Sequence, residues 1–221
     1  MEDELLPRQP VYALVPSSGP SIESNRLLLR PVKDRDTTAL FAVRARPEVA
    51  KTNYPKTPFQ SIEQTKEWLS SKIFKAPASV IGRSFVYSIV DKSIPDTEEQ
   101  VIGYMGINAV DPCPEIGYSL LPESWGKGFA TESLRMMLKM WWDLPRMELD
   151  DLDRSSGFVE KIYAICERDN LGSCAVLRKC GFEIVKEVEF GTDKLYLWSL
   201  DKPESGSRVV GASVEYRYVK N

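Results

Sequence analysis

The residues of this chain best placed to do chemistry form one short run, Trp125-Gly126-Lys127-Gly128-Phe129-Ala130-Thr131, between a strand-like segment and an amphipathic helical one. A loop in that setting aims unsatisfied backbone N–H groups and the positive end of a helix dipole at phosphate oxygens. Gly126 and Gly128 carry no Cβ to hold a ligand off the backbone, and Lys127 adds a cation between them. Three readings compete. A Rossmann dinucleotide turn needs glycine where Thr131 stands, and it belongs near the first strand of a domain. A P-loop needs Gly-Lys-Ser/Thr after four spacers, which is absent. The third reading is a tight turn that only starts a helix.

Other chemistries are narrowed by composition. Histidine is absent from all 221 residues, which excludes His-based triads, His metal sites and imidazole proton shuttles. Cys113, Cys166, Cys174 and Cys180 show no C-x-x-C spacing and read as buried free thiols in a reducing compartment, so a cytoplasmic location is expected. Glu148, Asp150, Asp151 and Asp153 have no cation-loop spacing and read as a solvated acidic loop; no metal is expected. With 29 Lys+Arg against 32 Asp+Glu, the net charge of −3 creates no field for a nucleic-acid backbone or an anionic membrane. Neither is expected as a partner, and any anion must be bound locally. Apolar runs fall short of the ~20 residues a bilayer requires, and Met1 to Leu6 is acidic rather than signal-like.

The elements that must position the loop follow from periodicity. Arg26 to Pro31 reads as a strand and Asp34 to Arg46 as a helix; Ser61 with Gln64 forms a capping box for a second helix spaced on Ile62, Thr65, Leu69 and Ile73. Strands are predicted at Ser84 to Asp91 and Val101 to Val110, joined around Pro95-Asp96, and at Glu115 to Leu120. Behind the loop, Leu134, Met137, Leu138 and Trp141 share one helical face, and Trp141 and Trp142 read as core. Asp143 to Glu160 reads as a surface connection. Lys161 to Cys166 reads as a strand, Asn170 to Lys179 as a helix ended by a left-handed Gly181, and Glu183 to Phe190 and Lys194 to Leu200 as strands about a Gly191-Thr192-Asp193 turn.

The result is an α+β fold: one mixed, mostly antiparallel sheet flanked by helices, over residues 24–200. A proline-rich extension (1–23) precedes it. In the tail (201–221) Val214, Tyr216 and Tyr218 alternate with charged residues, predicting an extra strand paired with Val11 to Val15 or with another chain. Monomer and homodimer both fit.

Glu115-Ile116-Gly117-Tyr118, the loop from Trp125 to Glu132, and Asn170-x-x-Ser173 running to Lys179-Cys180-Gly181-Phe182 together resemble the GCN5-related N-acetyltransferase (GNAT) superfamily. Asn25-Arg26-Leu27-Leu28-Leu29-Arg30-Pro31 resembles its RimJ/RimL-like branch of ribosomal-protein N-terminal acetyltransferases. The resemblance implies acetyl-CoA as cosubstrate, with its pyrophosphate over Gly126 to Thr131 and its pantetheine between strands ending at Leu120 and Cys166. The binding residues it implies are Leu120, Trp125, Gly126, Lys127, Gly128, Phe129, Ala130, Thr131, Asn170 and Ser173. Glu123 departs from the Gln or Arg usual in the family loop, which leaves the phosphates to backbone N–H groups.

The activity implied is acetyl transfer to a primary amine, either a protein N-terminus or a small molecule. Such a reaction needs a neutral amine, charge stabilisation at the carbonyl and a stabilised thiolate. The resemblance gives Glu115 as the base, acting through water, backbone N–H groups around Leu120 as the polarising donors, and Ser173 as the acid. Ser173 replaces a tyrosine usual four residues before the Gly-Phe pair, where this chain has Leu177. Glu115 also reads as a solvated strand-end carboxylate, and Ser173 and Asn170 as ordinary helix-start residues. Acceptor contacts are expected from Thr52 to Phe59 and Gly191 to Lys194. The alternative is a catalytically weak CoA-binding regulatory or scaffold module of the same fold.

Overall fold

The computed structural model describes residues 5–16, 19–70, 85–95, 100–148, 155–203 and 215–219. Strands β1 (Ser21–Glu23) and β2 (Leu27–Pro31) meet at a turn where Ser24 Oγ accepts from Leu27 N–H at 2.9 Å. One 3₁₀ turn leads into helices α1 (Thr37–Arg44), α2 (Pro47–Ala50) and α3 (Ile62–Ser70), followed by β3 (Phe85–Asp91), β4 (Val101–Ala109) and β5 (Glu115–Leu120). Then come α4 (Phe129–Asp143), β6 (Lys161–Glu167), α5 (Leu171–Lys179), β7 (Glu183–Phe190), β8 (Asp193–Asp201) and β9 (Arg217–Val219). They form one sheet in the order β7-β8-β6-β5-β4-β3-β2-β1-β9. Every neighbouring pair is antiparallel except β5 and β6, which run parallel.

Strand alternation assigns the two faces of the sheet. On one, Leu27, Leu29, Tyr87, Ile89, Met105 and Ile107 pack with the α4 residues Leu134, Met137, Leu138 and Trp141, all wholly buried. On the other, Leu28, Val86, Val90 and Tyr104 meet Leu40 and Val43 of α1 and Leu69 of α3. Each such aliphatic side chain removed from water stabilises the fold by about 2 kcal/mol. Buried Arg44 joins the second layer: its guanidinium donates to Tyr104 Oη at 2.8 Å and lies 4.4 Å over the Phe59 ring and 5.4 Å over Trp68.

Several expectations need correction. Residues 21–23 fall within the expected extension but form β1, because Leu28 and Leu29 offer them a partner strand. The tail returns as β9 on β1, pairing Ser21–Glu23 with Arg217–Val219 rather than with Val11 to Val15. Residues 12–14 bridge to 145–147 instead. The first helix begins as a 3₁₀ turn; at the second, Ser61 Oγ accepts from the Gln64 N–H at 3.4 Å as a capping box requires, but Gln64 Oε1 accepts from the Gln60 N–H instead of that of Ser61. Ile73, Ser84, Asp96, Asp150, Asp151, Asp153 and Val214 lie outside the described residues. The four cysteines are free, with Cys166 Sγ 3.7 Å from Cys174 Sγ. Among the described residues no helix is long and apolar enough to cross a membrane.

The lead into α1 hangs on one carboxylate. Asp36 is buried, accepts from Arg30 at 2.7 and 2.6 Å, from Ser88 Oγ at 2.6 Å and from the Lys33 N–H at 2.9 Å. Burial alone raises its pKa, but the donors outweigh that and hold it below the ordinary 3.8. A carboxylate depressed on folding stabilises above its unfolded pKa and loses that contribution as pH falls through the folded one. Asp36→Ala should therefore cost about 3 kcal/mol at neutral pH, since it leaves Arg30 without its partner. In urea titrations the gap between variant and wild type should close below about pH 3.8. A gap constant with pH would mean that packing, not charge, holds this turn.

Candidate active site

The strands β5 and β6 touch at a single parallel pair, Glu115 with Tyr163, and separate beyond it. The sheet is therefore split toward Leu120 and Glu167, and among the described residues backbone groups along the split have no strand partner. Leu121 N–H donates to Ile102 O on the β4 side at 2.8 Å, so by alternation the Leu120 N–H points into the split. The Trp125 indole donates to Leu120 O at 2.9 Å and turns the chain sharply into the glycine loop.

Gly128, at φ +81°, is the N-cap of α4, and Gly126 stands at φ +73°. A side chain at either would sit in the left-handed region that L-residues avoid. The first intrahelical bond is Glu132 N–H to Gly128 O at 3.0 Å, which leaves the first-turn N–H groups, Phe129 to Thr131, without helical acceptors. A Cβ on Gly126 would meet nothing within 4 Å. Open space, free N–H groups and a split sheet suit an anionic head joined to an extended arm.

Arg26, read in the sequence as the start of a strand and as part of the RimJ/RimL-like opening, holds this loop from behind. It pairs with Glu132, donates to Lys127 O at 3.1 Å, lies 4.9 Å over the Phe129 ring and comes within 3.6 Å of where a Gly128 Cβ would stand. The Glu132 side chain is 10% exposed and also accepts from Ser24 Oγ at 2.6 Å, so the loop and the β1–β2 turn share one buried carboxylate. Glu123 forms an ion pair with Arg46 from the α1–α2 link, which brings a cation to that edge of the loop. Both ends are exposed, so the pair adds little stability.

At the closed end of the split Glu115 accepts from Asn108 Nδ2 at 3.2 Å. The Asn108 amide lies 2.3 Å from where a Cβ on Gly117 would stand, so glycine there leaves the amide room to reach the carboxylate. Asn108 was invisible in the sequence; only the β4–β5 register places it. Ser119 Oγ donates to Asn53 Oδ1 at 3.0 Å, tying the α2–α3 loop to the same face.

On the opposite face, Asn170 caps α5, its Oδ1 accepting from Ser173 N–H at 3.0 Å. The Tyr118 phenol is closed off from solvent, and its burial pushes its pKa up. Leu177 is buried in the core and offers no proton. Helix α5 is tied to α4 by Arg135 Nη2 to Lys179 O at 3.0 Å and Cys180 Sγ to Thr131 O at 3.7 Å. Gly181, at φ +89°, ends α5 in the expected left-handed turn.

The two segments expected to meet an acceptor border one cleft of about 590 Å³, whose lining includes Lys51, Lys56, Glu167 and Asp193. Lys56 pairs with Asp193 at 2.7 Å and with Glu167, which together raise its pKa and keep it charged. Tyr54, in the same α2–α3 loop as Lys56, meets Phe190 at the end of β7 edge to face at 6.4 Å.

With this geometry in view, comparison with known proteins is decisive at the level of family. Residues 26–183 match the acetyltransferase (GNAT) domain, and the chain belongs to that family. Over 194 residues it is 29% identical to the uncharacterized N-acetyltransferase p20 of Bacillus licheniformis, covering 83% of this chain and 97% of that one. Among solved structures, a probable GNAT acetyltransferase from Chromobacterium violaceum superposes with a TM-score of 0.64 at 20% identity, over 91% of this chain and 98% of its own. RimL, the ribosomal L7/L12 alpha-N-protein acetyltransferase solved with coenzyme A, superposes at 0.59 and 19% identity, over 80% and 95%. At those identities the two structures speak for the fold.

Proposed function

We propose that this protein is an acetyl-CoA-dependent N-acetyltransferase acting on a primary amine. The observation that carries the reading is the split between β5 and β6, ending at a helix N-terminus with two left-handed glycines. Gly126 to Thr131 and Lys127 hold the phosphates, while Leu120, Asn170 and Ser173 line the arm. Acetyl-CoA, when bound, supplies an acyl group activated as a thioester. Glu115, oriented by Asn108, accepts the amine proton through water, and the Leu120 N–H polarises the carbonyl. The Ser173 hydroxyl hydrogen-bonds the sulfur as it gains charge. The acceptor enters by the cleft that Lys56 spans, and the RimL-like opening of the chain favours an amino-terminal amine. Among the described residues no cluster of three or more metal-ligating side chains gathers.

Coenzyme A should stabilise the native protein by mass action, by about 2.7 kcal/mol at a hundredfold excess over Kd. For a chain of this length that is a Tm rise of about 5–10 °C. Thiol release measured with amino-terminal peptides, amino acids and polyamines tests the catalytic half. Stabilisation without turnover on any amine would indicate the CoA-binding module, for which Leu177 in place of the family's usual tyrosine and Glu123 in place of its Gln or Arg are the supporting features. No thermal shift at all would remove both readings.

A further inference from the structure

We propose that Arg46 is a further coenzyme-binding residue: its guanidinium, held at the glycine loop by Glu123, donates to phosphate oxygens of coenzyme A. This inference rests on the acetyl-transfer reading of the site. Its motive is a charge of the wrong sign. Glu123 stands three residues before Gly126, in the 3₁₀ turn Pro122–Ser124 that leads into the loop. A carboxylate there repels an anion seated on the N–H groups of Phe129 to Thr131, and it weakens such a site unless a cation covers it. Arg46 covers it with an ion pair that reaches in from the α1–α2 link.

Both residues stand on fixed backbone. Arg46 is the N-cap of α2: its carbonyl accepts from the Val49 N–H at 3.1 Å and the Ala50 N–H at 2.9 Å, and Pro47 follows as the first helical residue. Its own N–H donates to Val43 O at 3.3 Å. The Glu123 turn is closed by Ser124 N–H to Leu121 O at 2.9 Å and by Trp125 N–H to Pro122 O at 3.0 Å. The fold gains little from joining the two side chains, which are 44% and 60% exposed. What the pair supplies is direction. A guanidinium carries five N–H donors in a fork that suits phosphate oxygens. Among the described residues only the Nη2 group of Arg46 meets an acceptor, Glu123 Oε1, so the other donors are left for a ligand. The charges at the loop agree. Lys127 and Glu123 cancel, and so do Arg26 and Glu132, which leaves Arg46 as the charge that makes this rim positive.

The full chain is titrated calorimetrically with coenzyme A and with dephospho-coenzyme A, which lacks the 3′-phosphate. Arg46→Ala should weaken coenzyme A binding about tenfold, or about 1.4 kcal/mol, since it removes the donor and leaves Glu123 bare. Glu123→Gln should change affinity less than about threefold, because the lost anchor is offset by the lost repulsion. The two double variants separate binding from a structural tie. Arg46→Ala with Glu123→Gln should bind coenzyme A about threefold tighter than Arg46→Ala alone. Arg46→Ala with Glu123→Arg, which sends a cation from the other end of the pair, should come within about threefold of wild type. Tm should stay within about 2 °C of wild type throughout. An Arg46→Ala defect that disappears with dephospho-coenzyme A assigns Arg46 to the 3′-phosphate, and one that persists assigns it to the pyrophosphate.

An Arg46→Ala protein that binds both ligands as wild type does overturns the inference alone. Equal losses from Arg46→Ala and Glu123→Gln, with no recovery in either double variant, also overturn it, marking the pair as a tie between the α1–α2 link and the loop. Failure of wild type to bind coenzyme A overturns the acetyl-transfer reading and this inference with it.

Discussion

Gly128→Asp should abolish measurable coenzyme A binding while the protein remains folded. Two effects act together at one atom. The residue stands at φ +81° as the N-cap of α4, so any Cβ is placed in the left-handed region and strains the turn that aims the first-turn N–H groups of α4. Aspartate also sets a negative charge against a pyrophosphate, reversing the sign of the helix dipole's contribution. The penalty to folding stays small, because aspartate tolerates this conformation better than most residues. The nearest atom to the new Cβ is Arg26 Nη2 at 3.6 Å, an ordinary contact. A strain of about 1 kcal/mol lowers Tm by about 2–4 °C. The loss in affinity should exceed about a hundredfold, or about 2.7 kcal/mol. Gly128→Ala, which adds the Cβ without the charge, should fall between. Calorimetry and thermal melts on the same samples separate the two quantities. Unchanged affinity in the aspartate variant would take the phosphates away from this loop.

The loop was legible in the sequence because everything that builds it is local. Two glycines, a cation and the Leu134–Met137–Leu138–Trp141 stripe lie within 16 residues of one another, and helical periodicity is a short-range signal. The same holds for Asn170, Ser173 and Gly181, where a cap, a first-turn hydroxyl and a left-handed stop define α5 by themselves. What stayed hidden was long-range. Arg26 reaches Glu132 across 106 positions, and Arg46 reaches Glu123 across 77. Neither pair has a spacing that marks it, since opposite charges this far apart can meet only once the sheet order is known. Asn108 stands behind Glu115 through register alone. The pairing of β9 with β1 was missed for a related reason: alternation in Tyr216 and Tyr218 announces a half-buried strand but says nothing about its neighbour. The cleft spanned by Lys56 belongs to the same class, for its walls come from the α2–α3 loop, the end of β6 and the β7–β8 turn.

Removing the proposed base, Glu115, should have the largest effect on turnover, and its pH dependence should also report the acceptor. Glu115→Gln keeps the shape of the side chain and a hydrogen-bonding oxygen for Asn108, but it cannot take a proton. At neutral pH a primary amine is largely protonated, so kcat/KM should fall about a hundredfold, or about 2.7 kcal/mol. As pH rises past the amine's own pKa the acceptor arrives neutral, the base is no longer needed, and variant and wild type should converge. An α-amino terminus has a pKa of about 7.7–8.0 and an alkylamine about 10.4. Convergence near pH 8 therefore points to an amino-terminal substrate, and convergence only above about pH 10 to a lysine-like or polyamine one. Ser173→Ala should behave differently, lowering kcat about tenfold at all pH values while sparing affinity for acetyl-CoA, because in the proposed mechanism its hydroxyl serves the leaving group rather than the nucleophile. Asn108→Ala should reproduce a fraction of the Glu115→Gln defect with the same pH dependence, since it frees the carboxylate to swing without removing it. Were Glu115→Gln and Ser173→Ala both to turn over at the wild-type rate with saturating acceptor, proton transfer would not limit this enzyme. Catalysis would then rest on the Leu120 N–H and on the placement of two substrates across the split in the sheet.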